Sequence, residues 1–367
     1  MRVTFVLPCY MWVPSGGFRV VYEYANRLVA RGHQVTLVHA RRLKYAPPGP
    51  EDVTLRARIR RARASIVDLI ATPSIDWHPI DERVKLLFVP SSDEKYIPDG
   101  DVLFATAWQT VRSVLECAPS KGEKCYLIQH YEVWMGPKEL VDETWRAPLH
   151  KVVIARWLME LGESMGCNDL SYIPNAIDSR YRVVRPIEQR RQRVVMMCSS
   201  LSFKGSSDGI KALEISKKQF PNMEVVLFGQ GRRAPWVPRW MSYMRNPPQS
   251  MIIEHFYNGS SIFLGPSLAE GFPLPPAEAA ACGCAIVATD IGGHRDYLEN
   301  NVTALLSPPK NPEALARNLC HLLGNDDLRI RLARAVNNFI GGFSWETSAD
   351  LLERFLRRVL RQERSAA

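Results

Sequence analysis

The sequence predicts an α/β protein built from two doubly wound, Rossmann-like domains. Three observations carry that reading. Short apolar runs alternate with amphipathic stretches along nearly the whole chain, the order that builds parallel sheets covered by helices. The alternation restarts at Val194 after a polar, basic, proline-punctuated stretch, Arg182–Arg193, which reads as an interdomain linker. A chain of 367 residues is also long enough for two domains. The predicted division is 1–180, 181–345 and a closing helix, 346–367.

Arg2–Leu7 reads as the first strand, and Pro14-Ser15-Gly16-Gly17 as the loop behind it. Val20, Val21, Tyr24, Leu28 and Val29 then recur at helical spacing up to Gly32, and Gln34–Val38 is the second strand. The glycine pair either makes a tight turn or lets backbone approach a ligand closely. Leu55–Ile70 reads as an amphipathic helix. Leu55, Ile59, Ala62, Ile66 and Leu69 form its apolar stripe, and Arg56, Arg58, Arg60, Arg61 and Arg63 fill most of the rest. Such a helix either docks on its own sheet or lies on an anionic membrane.

Lys85–Val89, Val102–Ala105 and Lys124–Gln129 are the next strands. Asp99-Gly100-Asp101 has an Asp-x-Asp look but reads as a turn followed by a strand start. His130 falls just past the carboxyl end of a strand, where parallel sheets place ligands; a lone histidine is more often structural. Lys151–Ala155 is a strand and Arg156–Met165 a helix. The second series opens at Val194–Cys198. Lys204 sits in the serine- and glycine-rich loop that leads to a helix near 207–219, placed either to meet a phosphate or simply to be solvated. Val225–Phe228 is a strand. The following Gly229-Gln230-Gly231 lacks the third glycine of a dinucleotide fingerprint. The proline- and tryptophan-rich stretch 234–248 has no clear period. Ser261–Pro266 is an apolar run that stops at Gly-Pro and reads as a buried strand, and after a loop come helix formers, a short helix with proline in its first turn and Gly283 just past its end. Ala285–Ala288 is the next strand, and helices follow near 312–323, 326–339 and 345–360.

Composition narrows the function. Apolar residues make up 46% of the chain, enough for sizeable cores, and no run of about 18 apolar residues predicts a membrane span. The first residues are too short an apolar run for a signal peptide. Eight scattered cysteines, several within strand-like runs, suit a reduced, cytoplasmic protein without structural zinc. A net charge of +9 fits an anionic partner, namely a nucleotide sugar, an acidic lipid surface or nucleic acid. With no zinc-finger or RNP-like pattern, nucleic acid is the weakest of the three.

Glu270 and Glu278 lie eight positions apart around an aromatic, proline-rich turn, with Glu270 on the loop and Glu278 in the helix. A helix start offers free N–H groups to a phosphate. An acid in the first turns of a helix is most simply a dipole partner.

Taken together, the residues resemble the GT-B glycosyltransferases of the retaining family-4 type, from Arg2 to about Trp345. The Glu-x7-Glu pattern at Glu270 and Glu278, which opens within Pro266–Phe272, is the most specific match. Gly16-Gly17, Arg31–Thr36, His130, Pro174-Asn175-Ala176-Ile177-Asp178, Lys204-Gly205 and Gly292-Gly293 support it. The resemblance implies two domains facing a cleft, with the closing helix crossing back to the amino-terminal domain. It implies transfer of a sugar from a nucleotide-diphospho-sugar to a glycan or lipid-linked hydroxyl, with retention and without a metal or other cofactor. It implies that Glu278 grips the ribose hydroxyls. Glu270 and the backbone of Gly271, Phe272 and Leu274 would meet the donor sugar and phosphates. Lys204 would pair with the leaving diphosphate, His130 would hydrogen-bond the donor sugar, and Gly16 and Gly17 would approach the phosphate. Lys204, Glu270 and His130 are thus the expected catalytic residues.

Two features depart from the pattern. Ser199 stands where an arginine is usual, leaving Arg19 or Arg295 as substitutes, and Pro273 removes one N–H donor. Two rivals stand beside the leading reading: another GT-B enzyme such as a nucleotide-sugar epimerase, and a non-catalytic basic module for polyanions. If the Arg56–Arg63 helix lies on lipid, the protein works peripherally at the inner membrane face.

Overall fold

The computed structural model describes residues 1–45 and 74–366. The basic stretch Leu55–Ile70 lies outside the described residues. The described chain divides into two units. The first comprises Met1–Ile154, Leu158–Ile173 and Ala349–Ala367; the second comprises Ala155–Trp157 and Pro174–Ser348.

The described residues of the first unit hold seven strands: β1 (Arg2–Leu7), β2 (Gln34–Ala40), β3 (Lys85–Val89), β4 (Val102–Ala105), β5 (Glu123–Ile128), β6 (His150–Val153) and β7 (Leu170–Tyr172). Their order is β3-β2-β1-β4-β5-β6-β7, all parallel. Parallel strands are covered on both faces and so read as unbroken apolar runs. β4, Val-Leu-Phe-Ala, is buried at every position. Helix α1 (Gly16–Ala30) begins two residues earlier than its apolar period suggests. Gly16 and Gly17 therefore form the first turn of a helix, not a loop, and Ser15 in extended conformation precedes them. Also in this unit are α2 (Trp108–Leu115), α3 (Lys138–Arg146) and, from Leu158 on, α4 (Arg156–Ser164). Asp99 is paired with Lys121 at 2.9 Å and Asp101 with Arg2 at 3.0 Å, so that turn is tied by ion pairs.

The second unit repeats the plan with six parallel strands: β8 (Arg193–Met197), β9 (Glu224–Gly229), β10 (Ser242–Arg245), β11 (Ile262–Gly265), β12 (Ala285–Thr289) and β13 (Leu305–Ser307). Their order is β10-β9-β8-β11-β12-β13. Helices α5 (Ser206–Gln219), α6 (Leu274–Ala281), α7 (Pro312–Leu323) and α8 (Asp326–Ile340) flank the sheet. Met196, Leu213, Leu227, Leu264, Val287, Leu319 and Leu332 share one buried core. The polar stretch 182–193 belongs to this unit. Ile187 is buried in its core, and the buried Arg190 guanidinium donates to the carbonyls of Ser260 and Cys282 at 3.2 and 2.6 Å. A buried guanidinium with its N–H groups bonded to carbonyls holds a segment in place, which is why basic composition there does not make a free linker.

Helix α9 (Trp345–Ala366) begins in the second unit and continues into the first. Asp350 pairs with Arg31 at 2.7 Å, Phe355 lies 6.2 Å from Phe104, and Arg358 pairs with Asp169 at 2.8 Å. Leu352, Leu356 and Val359 are buried, so the apolar stripe of α9 is the returning contact.

Candidate active site

In the second sheet the strand order reverses between β8 and β11. At such a switch point the loops leaving the two strands diverge and open a crevice at their carboxyl ends. The loop after β8 carries Lys204, and the loop after β11 carries Glu270. Lys204 Nζ donates to both carboxylate oxygens of Glu270, at 2.7 and 2.9 Å. Ser267 Oγ donates to Glu270 Oε1 at 2.9 Å. The two side chains are 19% and 10% exposed, so water screens the pair weakly.

The same two loops are stitched through backbone. Leu268 N–H donates to the Phe203 carbonyl at 2.7 Å. Gly205 has φ +61°, and a Cβ there would sit 1.9 Å from the Pro266 carbonyl oxygen. Only glycine takes that conformation at that approach. From the other side, a Cβ on Gly293 would meet the Glu270 carbonyl oxygen at 2.5 Å. Trp157 Nε1 donates to the Gly271 carbonyl at 2.8 Å, and the Arg156 N–H to the Asp296 carboxylate at 3.0 Å. Residues 270–272 are therefore fixed by partners from three segments.

Phe272 turns its ring inward, 5.1 Å from Tyr297 and 5.7 Å from Phe343. Its side chain is thus committed to packing. Glu278 is buried in α6, with the Tyr257 hydroxyl 3.5 Å from Oε2. Helix α6 is a sparser anion site than its position suggests. Pro275 and Pro276 occupy its first turn after Leu274, and proline has no N–H. Pro273, at the N-cap, supplies none either, which leaves the Leu274 N–H, so the expected cluster of free N–H groups is reduced by sequence, not by packing.

Ser199 does not restore the missing cation. Its N–H donates to Ser206 Oγ at 2.8 Å, and its Oγ accepts from Leu201 N–H at 3.2 Å. Both bonds close the loop on itself. Arg295 is exposed and paired with Asp290 at 2.8 Å. Arg19 lies on α1 of the first unit. His294 is buried, its Nδ1 2.7 Å from the Thr289 carbonyl, and burial holds its pKa below the usual imidazole value. Among the described residues, no three His, Cys, Asp or Glu side chains group as metal ligands would.

In the first unit the sheet order reverses between β1 and β4. Gly16 and Gly17 follow β1. A Cβ on Gly17 would lie 3.4 Å from the side chain of Gln129, the residue after β5. His130 comes next, with the Trp134 ring edge-on at 4.0 Å. Glu132 is a group that sequence reasoning passed over. Its carboxylate accepts from the Trp108 N–H at the start of α2, at 3.1 Å, and burial pushes its pKa up to about 7. A lone glutamate in a loop gives no such signal in sequence.

The structure thus brings Lys204, Glu270, Gly271, Phe272, Leu274 and Glu278 into one unit. Gly16, Gly17 and His130 stand at the carboxyl edge of the other.

Residues 181–339 match the family model described as Glycosyl transferases group 1. A D-inositol 3-phosphate glycosyltransferase of Frankia alni is 34% identical over 114 residues, covering 31% of this chain and 26% of the relative. The chain thus spans about a quarter of the length of the first curated relatives that it matches. Sucrose-phosphate synthase from Thermosynechococcus elongatus superposes with a TM-score of 0.72 at 14% identity, over 98% of this chain and 99% of that one. The Anabaena protein HepE in complex with UDP-glucose superposes with a TM-score of 0.68 at 13% identity, over 98% and 100%. These likenesses establish the GT-B fold along the described chain.

Proposed function

We propose that this chain, whose carboxy-terminal half matches the group 1 glycosyl transferases within a GT-B fold, moves a sugar from a nucleotide-diphospho-sugar to an acceptor hydroxyl. The observation that carries the reading is the Lys204–Glu270 pair at the switch point of the second sheet, with Glu278 buried in the helix that follows. Glycosyl transfer builds negative charge on the departing diphosphate and positive charge on the anomeric carbon. A fixed cation and fixed N–H groups aimed at the diphosphate oppose the first without reorganising. Lys204 and the backbone of Gly271, Phe272 and Leu274 are assigned that task. Glu278 is assigned the ribose hydroxyls, which a carboxylate accepts from. His130 is assigned a hydrogen bond to the donor sugar.

The two glutamates are not a glycosidase acid and base, because Glu278 has a nucleotide role away from the bond that breaks. Retention follows if the leaving phosphate itself takes the acceptor proton on the departing face. That route needs no metal, and the diphosphate is then neutralised by Lys204 and backbone alone. HepE is described with UDP and with UDP-glucose, which supports a nucleotide-sugar donor here.

The acceptor proposed is a glycan or a lipid-linked glycan. Trp12 and Trp134 stand exposed beyond β1 and β5, and exposed indoles suit stacking on sugar rings. None of the described helices is long and apolar enough to cross a membrane. A lipid-linked acceptor therefore calls for a surface that meets the bilayer from one side, the role proposed for the Arg56–Arg63 stretch.

The test is release of nucleoside diphosphate from a panel of nucleotide sugars, with and without acceptor, in buffer containing EDTA. Release that depends on acceptor and persists in EDTA supports the proposal. Donor conversion without acceptor would indicate an epimerase, and metal-restored activity would refute the metal-free route.

A further inference from the structure

The segment joining β9 to the sheet edge is built unlike the rest of the second unit. Between Glu224 and Glu254 the chain carries Arg232, Arg233, Arg239 and Arg245, two tryptophans and no carboxylate. Val237 and Met241 are buried in the unit's core and pin the segment down. Tyr243 OH donates to the Gly231 carbonyl at 2.7 Å and Arg245 Nε to the Gln230 carbonyl at 3.0 Å, closing the segment onto edge strand β10. This anchoring turns the residues between outward. Trp236 is 52% exposed, Trp240 39% and Met244 38%. Lys217 Nζ lies 4.9 Å from the Trp240 ring, and Arg233 and Arg239, on the same segment, are exposed, Arg233 donating to the Val237 and Pro238 carbonyls. Glu224 lines the same depression as Trp240 but is held by Arg193 at 2.6 Å.

We propose that this face docks on an anionic lipid bilayer. Two exposed indoles and a thioether lose contact with water on entering the headgroup boundary, and tryptophan is favoured at that depth. The arginines and Lys217 extend apolar stems beside them and keep their charge at the phosphates. Uncompensated positive charge matches an anionic surface and repels a second copy of a chain whose net charge is +9. A soluble polyanion would use the charge but gain little from the indoles. The proposal deepens the membrane-surface reading of the function by giving it a surface among the described residues, distinct from the Arg56–Arg63 stretch. It does not depend on which sugar is moved.

The experiment is co-sedimentation of the full chain with phosphatidylcholine vesicles, with and without phosphatidylglycerol. It compares wild type, Trp236→Ser/Trp240→Ser, Arg233→Gln/Arg239→Gln, and Arg58→Gln/Arg60→Gln/Arg61→Gln/Arg63→Gln. The expected result is binding to the anionic vesicles that falls roughly tenfold or more in the tryptophan variant. The fall is accompanied by loss of the blue shift in indole emission, with circular dichroism and nucleotide-sugar affinity unchanged. The arginine pair weakens binding in the same direction, more at low salt. Four outcomes would overturn the proposal. They are no vesicle binding by wild type, equal binding by the tryptophan variant, loss confined to the Arg58–Arg63 variant, and binding to soluble heparin that the tryptophan variant loses in the same proportion.

Discussion

Lys204 carries two demands on one cation. It serves both oxygens of Glu270, and in the proposed reaction it must also meet a diphosphate. The charge that develops on the leaving group makes this contact worth more in the transition state than in the bound donor. Lys204→Ala is therefore expected to lower turnover by roughly 10²-fold or more while nucleotide affinity falls less. Steady-state kinetics beside calorimetry would check this, and intact turnover would pass the role to another cation. Glu278→Ala should act the other way round, weakening nucleotide binding by about 1.5–3 kcal/mol through loss of a charged acceptor. Unchanged affinity in a folded variant would remove Glu278 from the site. Glu132 supplies a pH signature. Burial raises its folded pKa to about 7 from the ordinary carboxyl value of 4.5, so between these values the folded state holds a proton that the unfolded chain has released. The first unit should then lose stability as pH rises through that window, because proton uptake accompanies folding there. Glu132→Gln should flatten that slope in denaturant titrations at pH 5 and about 7.5; an unchanged slope would assign it to other groups.

At the scale of elements, the site depends on how two loops are held together. Gly205 starts α5 in the left-handed region with the Pro266 carbonyl against its α-carbon. Gly205→Ala combines a strained φ with a clash and should cost at least about 1–2 kcal/mol, measured as a lower Tm with weakened nucleotide binding. A neutral effect would show that the β8 and β11 loops adjust freely.

The sequence made some of this legible. Leu274–Ala281 was readable as a helix because prolines open it and Gly283 follows it, and the apolar run 261–265 marked the strand before it. The pairing of Lys204 with Glu270 was not readable, since 66 residues separate them and only the strand order joins their loops. Gly16-Gly17 reads as a loop in sequence because glycine is a poor helix former, yet the preceding extended Ser15 sets the helix start there. Residues 234–248 gave no period because their anchors, Val237 and Met241, hold irregular backbone onto the core.

At the scale of the whole chain, the restart of the strand pattern at β8 was legible because both sheets use the same winding, and parallel strands announce themselves as apolar runs. The place where the polar stretch 182–193 belongs was not, because Arg190 is buried by backbone partners that composition does not reveal. The return of α9 to the first unit was an implication of family resemblance, and its physical basis is the apolar stripe 352–359 with the Asp350 and Arg358 ion pairs. The central claim is that this chain binds a nucleotide-diphospho-sugar through Lys204 and Glu278. It is tested most directly by thermal unfolding of the full chain against a panel of such sugars. A ligand at a hundred times its Kd stabilises the folded state by about 2.7 kcal/mol, and each kcal/mol raises Tm by about 2–4 °C for units of this size. The account predicts that at least one nucleotide sugar raises Tm by several degrees and that the rise is lost in Glu278→Ala and reduced in Lys204→Ala. A Tm that stays flat across the panel, for a chain that is folded throughout, would contradict it.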